Sequence, residues 1–212
     1  MKKITGLLIY LTLGYTIPLI GNLGLILNNR ILFLMLCCTV IIFTQPAMDA
    51  SEAKEKSATD RQSFWWILGL SLVGMVVPVI DWAYFQANQN FVNWTILTGG
   101  IIVILGIMIR VWAIQVLGKF FTATVQIHEE HQLIQQGPYK IVRHPSYLGA
   151  FMAFVGSGLL LNSPTGALIA AAAMLTAYRY RIKTEESALL KAFGQRYLDY
   201  QQSTKKLIPL VW

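Results

Sequence analysis

Long apolar runs without charged residues dominate the chain, and short polar stretches separate them. Four runs approach the length of about 20 mostly apolar residues that a membrane-spanning helix needs. They extend from Ile4 to Leu27, from Ile31 to Met48, from Phe64 to Ala87 and from Trp94 to Leu117. The pattern therefore predicts four membrane helices in the first part of the chain.

Two shorter apolar runs follow, from Tyr147 to Leu161 and from Thr165 to Tyr178. The residues between them read Asn-Ser-Pro, a turn sequence with a proline that suits the first turn of a helix. This arrangement predicts a tight antiparallel helical hairpin. From Lys183 to Gln202 apolar residues recur at helical spacing with a polar opposite face. Such a pattern indicates an amphipathic helix that docks on the bundle or lies at the membrane surface.

The predicted fold is therefore all-α, a polytopic transmembrane helical bundle of about six membrane segments with a cytoplasmic amphipathic tail helix. The composition supports this class, because 55% of the 212 residues are hydrophobic and only 13% are charged. Soluble domains have about a quarter of their residues charged. An ordinary soluble globule and a disordered chain are both excluded.

We interpret the net charge of +7 as a consequence of membrane topology and not as a sign of nucleic-acid binding. Six crossings put both termini on one side, together with nearly all Lys and Arg residues, whereas Arg30 falls on the other side. Because positive residues accumulate on the cytoplasmic side, we expect both termini and the polar chemistry to face the cytoplasm. The expected location is the cytoplasmic (inner) membrane, among membrane lipids and without a nucleic-acid partner.

Asp81 and Arg110 lie inside predicted membrane helices, where a charge is a functional hypothesis by default. The two helices run in opposite directions, and each charge lies far from the start of its own helix. The charges should therefore lie near opposite membrane faces and should not pair. We expect Asp81 at the outer interface, while Arg110 either reaches the inner leaflet or lines an inner pocket.

The sequence RHPSY, residues 143–147, precedes the hairpin. A residue before proline avoids the α conformation, so Pro145 should open the fifth helix with His144 just outside it. The backbone N–H groups of the first turn of this helix, together with the hydroxyls of Ser146 and Tyr147, could bind an anion. The alternative is a plain helix start at the interface, with Arg143 among lipid headgroups.

Two further clusters flank the hairpin. Arg181 and Glu185 are four residues apart and share a helical face, either as a solvated ion pair or as the wall of a polar pocket. His128 and His131 have a spacing that zinc sites use. Because no third ligand has a convincing spacing, no metal site is predicted, and Gln126 and His131 are better interpreted as hydrogen-bonding wall residues.

The order of these motifs, Gln–His–GPY–RHPSYLG–hairpin–R-x-x-x-EE–FG-x-x-Y-x-x-Y, resembles the isoprenylcysteine carboxyl methyltransferase family. It is similar, more loosely, to membrane relatives such as phospholipid N-methyltransferases. The resemblance covers roughly Gly118 to the C-terminus. On this basis we divide the chain into N-terminal transmembrane helices at residues 1–117 and a catalytic methyltransferase region at residues 118–212, with a cofactor-binding loop, the hairpin and the tail helix.

The resemblance implies an integral membrane enzyme that takes S-adenosyl-L-methionine as its methyl donor. Its acceptor-binding and catalytic arginine falls on Arg181. The implied acceptor is a lipophilic small molecule or a prenylated or lipid substrate, with carboxyl O-methylation of an isoprenylcysteine-like compound favoured. The cofactor contacts of the family fall on Gln126, His131, Gln132, Leu133, Ile134, Tyr139, His144, Pro145, Ser146, Tyr147 and Glu185.

The residues are compatible with this chemistry, since methyl transfer depends largely on positioning. A carboxylate acceptor is already a nucleophile, and Arg181 could orient it bidentately. A thiol or amine acceptor would need a base, for which His131, His144 or Glu186 would be a candidate. Two alternatives stay open, namely an NADPH-dependent membrane sterol or enone-type reductase and a non-enzymatic membrane binding module.

Overall fold

The computed structural model describes residues 2–45, 58–86, 93–121 and 132–208, and these ranges are built of helices. The all-helical prediction is confirmed, and β-type pairing within these ranges is limited to one isolated bridge between Val142 and Lys205. The α-helices are α1 (Lys2–Leu11), α2 (Asn29–Thr44), α3 (Ala58–Ile80), α4 (Trp94–Leu117), α5 (Pro145–Leu160), α6 (Pro164–Phe193) and α7 (Gln195–Ser203).

Two helices in the described part of the chain are long and apolar enough to cross a membrane, over Trp65–Phe85 and Trp94–Phe120. The second agrees with the run predicted from Trp94 to Leu117, which is α4. The helices α2 and α5 are apolar but shorter than a full span. The predicted run ending at Met48 leaves the described residues after Gln45, where α2 has already ended.

The prediction of one continuous helix from Ile4 to Leu27 is wrong. Helix α1 continues as a π turn over Thr12–Thr16, and a 3₁₀ segment over Ile20–Leu27 then leaves at 110°. Pro18 lies at this bend and has no N–H to donate to the preceding turn. Asn22 has non-helical φ and ψ angles inside the 3₁₀ segment, which marks a second break. Apolar composition alone does not indicate where a helix is interrupted.

Helix α4 packs closely along α5 through glycines. A Cβ atom on Gly149 would lie 2.4 Å from the carbonyl oxygen of Gly106, and one on Gly99 would lie 2.3 Å from the backbone nitrogen of Leu160. Side chains at these positions would force the backbones apart. Small residues are what allows helices to approach in lipid, where van der Waals contact replaces the hydrophobic effect.

The predicted hairpin between α5 and α6 is confirmed. Asn162 turns the chain with a positive φ of 57°, and the Ser163 hydroxyl accepts from the Gly166 N–H at 3.0 Å to cap α6. The same hydroxyl donates to the carboxylate of Asp81, the residue that follows α3. The hairpin turn is thereby joined to the neighbouring helix.

The second arm of the hairpin differs from the prediction in its length. Helix α6 continues past Tyr178 to Phe193, because no glycine or proline interrupts it, and ends at Gly194 with a positive φ of 51°. A left-handed glycine is a common helix terminator. The tail predicted as one helix from Lys183 to Gln202 is therefore divided between α6 and the short α7.

Candidate active site

The RHPSY residues lie at the start of α5, and backbone hydrogen bonds to Lys205 and Lys206 hold that start in place. Pro145 is the first helical residue and His144 precedes it, as the sequence predicts. The N–H groups of Arg143 and His144 donate to the carbonyl oxygens of Lys205 and Lys206, at 2.8 and 3.0 Å. The start of α5 is thus fixed by backbone hydrogen bonds to residues near the end of the chain.

Arg143 points into the protein and not toward lipid headgroups, so that alternative is wrong. Its side chain is buried, and Nε donates to Glu186 Oε1 at 2.9 Å. Its Nη1 donates to the carbonyl oxygens of Gln201 and Thr204. One guanidinium therefore links α6 with the end of α7 and the segment that follows it.

Glu186 is the centre of this ion cluster. Its carboxylate accepts from Arg143 and lies 3.4 Å from His144 Nε2 and 3.5 Å from Lys206 Nζ. Burial would raise the pKa of Glu186, but hydrogen bonds from His144 and Arg143 and their charges outweigh burial and lower the pKa to about 2. Glu186 is therefore ionised at neutral pH and committed to its partners.

His144 lies between two carboxylates. Its Nδ1 is 3.5 Å from Glu185 Oε2, and its Nε2 faces Glu186 on the opposite side of the ring. The imidazole of His144 thus lies against both acidic residues of α6, at the start of α5.

The predicted pair of Arg181 and Glu185 is present, with Nε donating to Oε1 at 2.9 Å. Arg181 is only 2% exposed, so the pair belongs to a pocket and not to a solvated surface. The Tyr147 hydroxyl donates to Glu185 and lies 3.3 Å from Arg181 Nε. Burial would lower the pKa of Arg181, but Tyr147 and Glu185 raise it above its ordinary value. The guanidinium therefore stays charged.

A cavity of about 470 Å³ adjoins these groups, within the size range of ligand pockets. Pro145 is buried but does not line the cavity. Gln126 and His131 lie outside the described residues. The other nine predicted site residues line the cavity together: Gln132, Leu133, Ile134, Tyr139, His144, Ser146, Tyr147, Arg181 and Glu185.

The cavity has two parts, which we call the polar limb and the apolar limb. The polar limb is lined by those nine residues and also by Arg110, Tyr197 and Tyr200. The apolar limb continues between α1, α2, α3 and α4, and Tyr15, Leu34, Met75 and Val103 lie at its far end. A polar ligand and a lipophilic ligand can therefore occupy one continuous space.

Arg110 lines the same cavity, which confirms the pocket alternative for this intramembrane charge. Its Nη1 donates to the Ser146 carbonyl oxygen at 3.0 Å, and its Nη2 donates to Gln45 Oε1 at 2.9 Å. Asp81 has separate partners in Ser163 and Gln86. The expectation that the two intramembrane charges do not pair is confirmed.

Sequence reasoning missed several groups around the site. The Tyr200 hydroxyl donates to the Tyr139 carbonyl oxygen at 2.6 Å, and Tyr197 and Tyr200 both line the cavity. The helical spacing of Tyr197 and Tyr200 predicted that they are buried, but it did not predict that they line the candidate site. Gln45 gave no signal, because a single glutamine at the end of an apolar run is unremarkable until Arg110 is seen beside it.

The polar limb offers complementary chemistry to a ligand of mixed charge. Glu185 presents a carboxylate that can accept from an amine or a hydroxyl, and aromatic rings of Tyr139 and Tyr200 can contact a cationic group. Arg110 and Arg181 present guanidinium groups, which bind carboxylates well. The arrangement is suited to holding a zwitterionic ligand next to an anionic one.

Three relatives are similar to this chain over most of its length. Protein-S-isoprenylcysteine O-methyltransferase B of Arabidopsis thaliana is 35% identical over 143 residues, which is 66% of this chain and 72% of the relative. The Dictyostelium discoideum enzyme is 31% identical over 65% of this chain and 58% of the relative. The Mus musculus enzyme is 27% identical over 82% of this chain and 64% of the relative. The chain thus spans less than two thirds of the last two.

A solved structure, that of the eukaryotic intramembrane Ras methyltransferase ICMT, has the same fold. Its TM-score with this chain is 0.67 at 28% identity, over 99% of this chain and 75% of that one. Residues 98–191, which include most of α4, RHPSY and the R-x-x-x-EE sequence, match the sequence profile of one family. From this match and the extent of the Arabidopsis similarity, we conclude that the chain belongs to the isoprenylcysteine carboxyl methyltransferase family.

Proposed function

We propose that the chain is an integral membrane methyltransferase that uses S-adenosylmethionine to methylate a carboxylate on a lipophilic acceptor. The acceptor is an isoprenylcysteine or a similar hydrophobic acid. The observation that carries the proposal is the single cavity in which the Arg181–Glu185–Tyr147 cluster adjoins a long apolar limb. Membership of the family and the names of the relatives support the same reaction.

The polar limb fits the donor, which carries an amine, a carboxylate, ribose hydroxyls and an adenine. Glu185 can accept from the amine or the ribose, while the start of α5 with Ser146 suits the carboxylate. Tyr139 and Tyr147 supply walls for the remaining groups. When bound there, the donor supplies the methyl group. The predicted contacts from Gln126, His131, Gln132, Leu133, Ile134, His144 and Pro145 remain part of this proposal.

The acceptor carboxylate is oriented by arginine. Arg181 is buried, charged and on the cavity wall, and Arg110 lies on the same wall at the junction of the two limbs. A carboxylate is a nucleophile without deprotonation, so these residues need only to position it. Excluding bulk water from this part of the cavity strengthens the charge interactions that do so.

The state of the acidic cluster supports a carboxylate acceptor over a thiol or an amine. Those acceptors would need a base, and the candidates His144 and Glu186 face each other in a buried ion cluster. Glu186 is paired with Arg143, and a carboxylate with a pKa of about 2 is a weak base. His131, the third candidate, lies outside the described residues.

The proposal includes the membrane arrangement inferred from the sequence. About six segments cross the cytoplasmic (inner) membrane, with both termini, the polar limb and the amphipathic tail facing the cytoplasm. The distribution of Lys and Arg supports this orientation. In the same view residues 1–117 supply most of the apolar limb, and residues 118–212 supply most of the polar limb. The donor then enters from the cytoplasm and the acceptor from the bilayer.

The decisive experiment measures ligand binding by the purified protein in detergent. We expect S-adenosylhomocysteine to bind, NADPH not to bind, and transfer of labelled methyl to N-acetyl-S-farnesylcysteine. Binding of NADPH without S-adenosylhomocysteine would establish the reductase alternative. Binding of neither would favour a non-enzymatic module, and methyl transfer to thiols or amines alone would refute the carboxylate acceptor.

The donor site is tested by Glu185→Ala. Loss of a charge-assisted hydrogen bond of about 1.5–3 kcal/mol should weaken S-adenosylhomocysteine binding roughly ten- to a hundredfold. Asp199→Asn, on the exposed face of α7, is a matched control that should bind as the original chain does. Unchanged binding by Glu185→Ala would place the donor elsewhere.

A further inference from the structure

The apolar limb ends in a closed floor. The four residues at its far end belong to different elements and are 1–8% exposed, namely Tyr15, Leu34, Met75 and Val103. Beyond them lies a second layer, which we call the Trp82 core, and its side chains do not line the cavity. This layer comprises Leu19, Ile31, Val79 and Trp82, none more than 1% exposed. The space therefore stops at the floor and does not continue along the helices.

Met75 is the adjustable part of this floor. Its thioether lies directly on Gly14, where a Cβ atom would come within 1.9 Å of Met75 Cε and 2.7 Å of Sδ. Methionine is unbranched and flexible, and it fills irregular gaps. The absence of a side chain at residue 14 thus makes room for Met75, and Met75 closes the gap between α1, with its π turn, and α3.

The depth of the apolar limb follows from the helices that line it. On α2 the lining residues run from Gln45 to Leu34, which at a helical rise of roughly 1.5 Å per residue is about 16 Å. On α4 the distance from Arg110 to Val103 is about 10 Å by the same measure. An extended chain attached to a carboxylate near Arg110 therefore has a limited length before it meets the floor.

We propose that this floor, with Met75 as its determinant, limits the length of the acceptor tail. The inference rests on the proposed function, because it assigns the tail to the apolar limb. Each added isoprene unit extends the tail further toward the floor, so a geranylgeranyl tail, one unit longer than a farnesyl tail, meets Met75 first. The chain therefore discriminates between prenylated acids by tail length and not only by hydrophobicity.

Two substitutions at residue 75 should move the limit in opposite directions. Met75→Ala removes the thioether and extends the limb toward Gly14, whereas Met75→Phe places a bulkier, stiffer group on the floor. Val79→Ala is the matched control, since Val79 lies one turn further along α3, is buried and does not line the cavity. It should weaken the fold in the same region without changing the floor.

The experiment compares N-acetyl-S-geranyl-, S-farnesyl- and S-geranylgeranylcysteine as acceptors for the full chain in detergent. The original chain should give a higher kcat/KM with farnesyl than with geranylgeranyl. Met75→Ala should raise the geranylgeranyl-to-farnesyl ratio about tenfold, the low end of what a pocket gains per accommodated group. Met75→Phe should shift the preference toward geranyl, and Val79→Ala should leave the ratio unchanged.

The outcomes separate this inference from the proposed function. Equal use of all three tails, or a ratio that Met75→Ala and Val79→Ala change alike, overturns the floor as a length limit. If none of the acids is methylated, the proposed function fails instead. The length limit is then tested by the shift in Tm that each acid produces on binding. A shift that does not depend on tail length overturns the inference by itself.

Discussion

At the residue scale, Arg181 is a positive residue whose buried position is not explained by membrane topology. It is a charged side chain, 2% exposed, on the wall of a cavity that reaches among membrane helices. Burial of an arginine is costly unless it is paired, and its hydrogen bonds to Glu185 and Tyr147 provide the pairing. In the proposed function, the acceptor carboxylate is held on the cavity wall beside Arg181.

Arg181→Ala should lower kcat with a carboxylate acceptor by roughly ten- to a hundredfold, the value of one or two charge-assisted hydrogen bonds. Binding of S-adenosylhomocysteine should change much less, because Glu185 keeps its contacts with Tyr147 and His144. Steady-state kinetics and calorimetry measure the two quantities. Lys183→Ala, an exposed cation two residues further on, is the control. Equal turnover in both variants would remove Arg181 from the mechanism.

Glu186 gives a second residue-scale prediction, concerning pH. Its pKa in the folded protein is about 2, below its ordinary value of 4.5, so the ionised form stabilises the fold. This stabilisation is complete above the unfolded pKa and disappears as the pH falls from about 4.5 toward 2, and its full size is about 3 kcal/mol. Stability should therefore fall with acidification over this range.

Glu186→Gln lacks this titration, so its Tm should be lower than that of the original chain at pH 7. The difference should narrow as the pH falls below about 4.5. Thermal unfolding in detergent across this range measures the two curves. A difference that stays constant down to about pH 3 would mean that the ion cluster with Arg143 and His144 does not stabilise the fold.

At the element scale, the contact between α4 and α5 is set by glycines and not by interlocking large side chains. Gly106 and Gly149 bring the two backbones together beside Arg110, whose backbone nitrogen would lie 2.7 Å from a Cβ on Gly149. The helix that carries Arg110 and the helix that begins at Pro145 are therefore held at a fixed distance. The width of the cavity depends on this distance.

Gly149→Ala should destabilise the protein by about 1–3 kcal/mol, the usual cost of overpacking, because backbone atoms of α4 cannot move aside as a side chain can. Gly69→Ala on α3 is the control, since a Cβ there has nothing within 4 Å. Alanine favours helix more than glycine, so this variant should be as stable as the original chain or more so. Tm in detergent compares them, and equal Tm values would contradict the close contact.

At the scale of the whole molecule, the positive charge and the hairpin make orientation testable. Thr165 is exposed beside the hairpin turn, and Gln195 is exposed at the start of α7, at the other end of α6. Thr165→Cys should add a site that reacts with an impermeant maleimide in intact cells, and Gln195→Cys should add one that reacts only after permeabilisation. The original chain, with Cys37 and Cys38, sets the background. The reverse result would invert the proposed topology.

Sequence alone determined the features that depend on near neighbours. Proline and a preceding residue that avoids the α conformation located the start of α5, and four-residue spacing located the Arg181–Glu185 pair. Composition located α4 and the membrane character, and a turn sequence located the hairpin. In each case the physical cause acts within a few residues along the chain, so the sequence contains it. The motif order was enough to indicate the family.

Only the tertiary structure decided the contacts between distant segments. Arg143 meets Glu186 and Thr204, Arg110 meets Gln45, and these partners carry no periodic or local signal. The bend after α1 and the floor formed by Met75 on Gly14 likewise depend on how helices pack, since an apolar run looks the same whether it is straight or broken. The sequence thus determined where α4 and α5 form and which residues carry charge. Packing decided where the charges meet and how deep the cavity reaches.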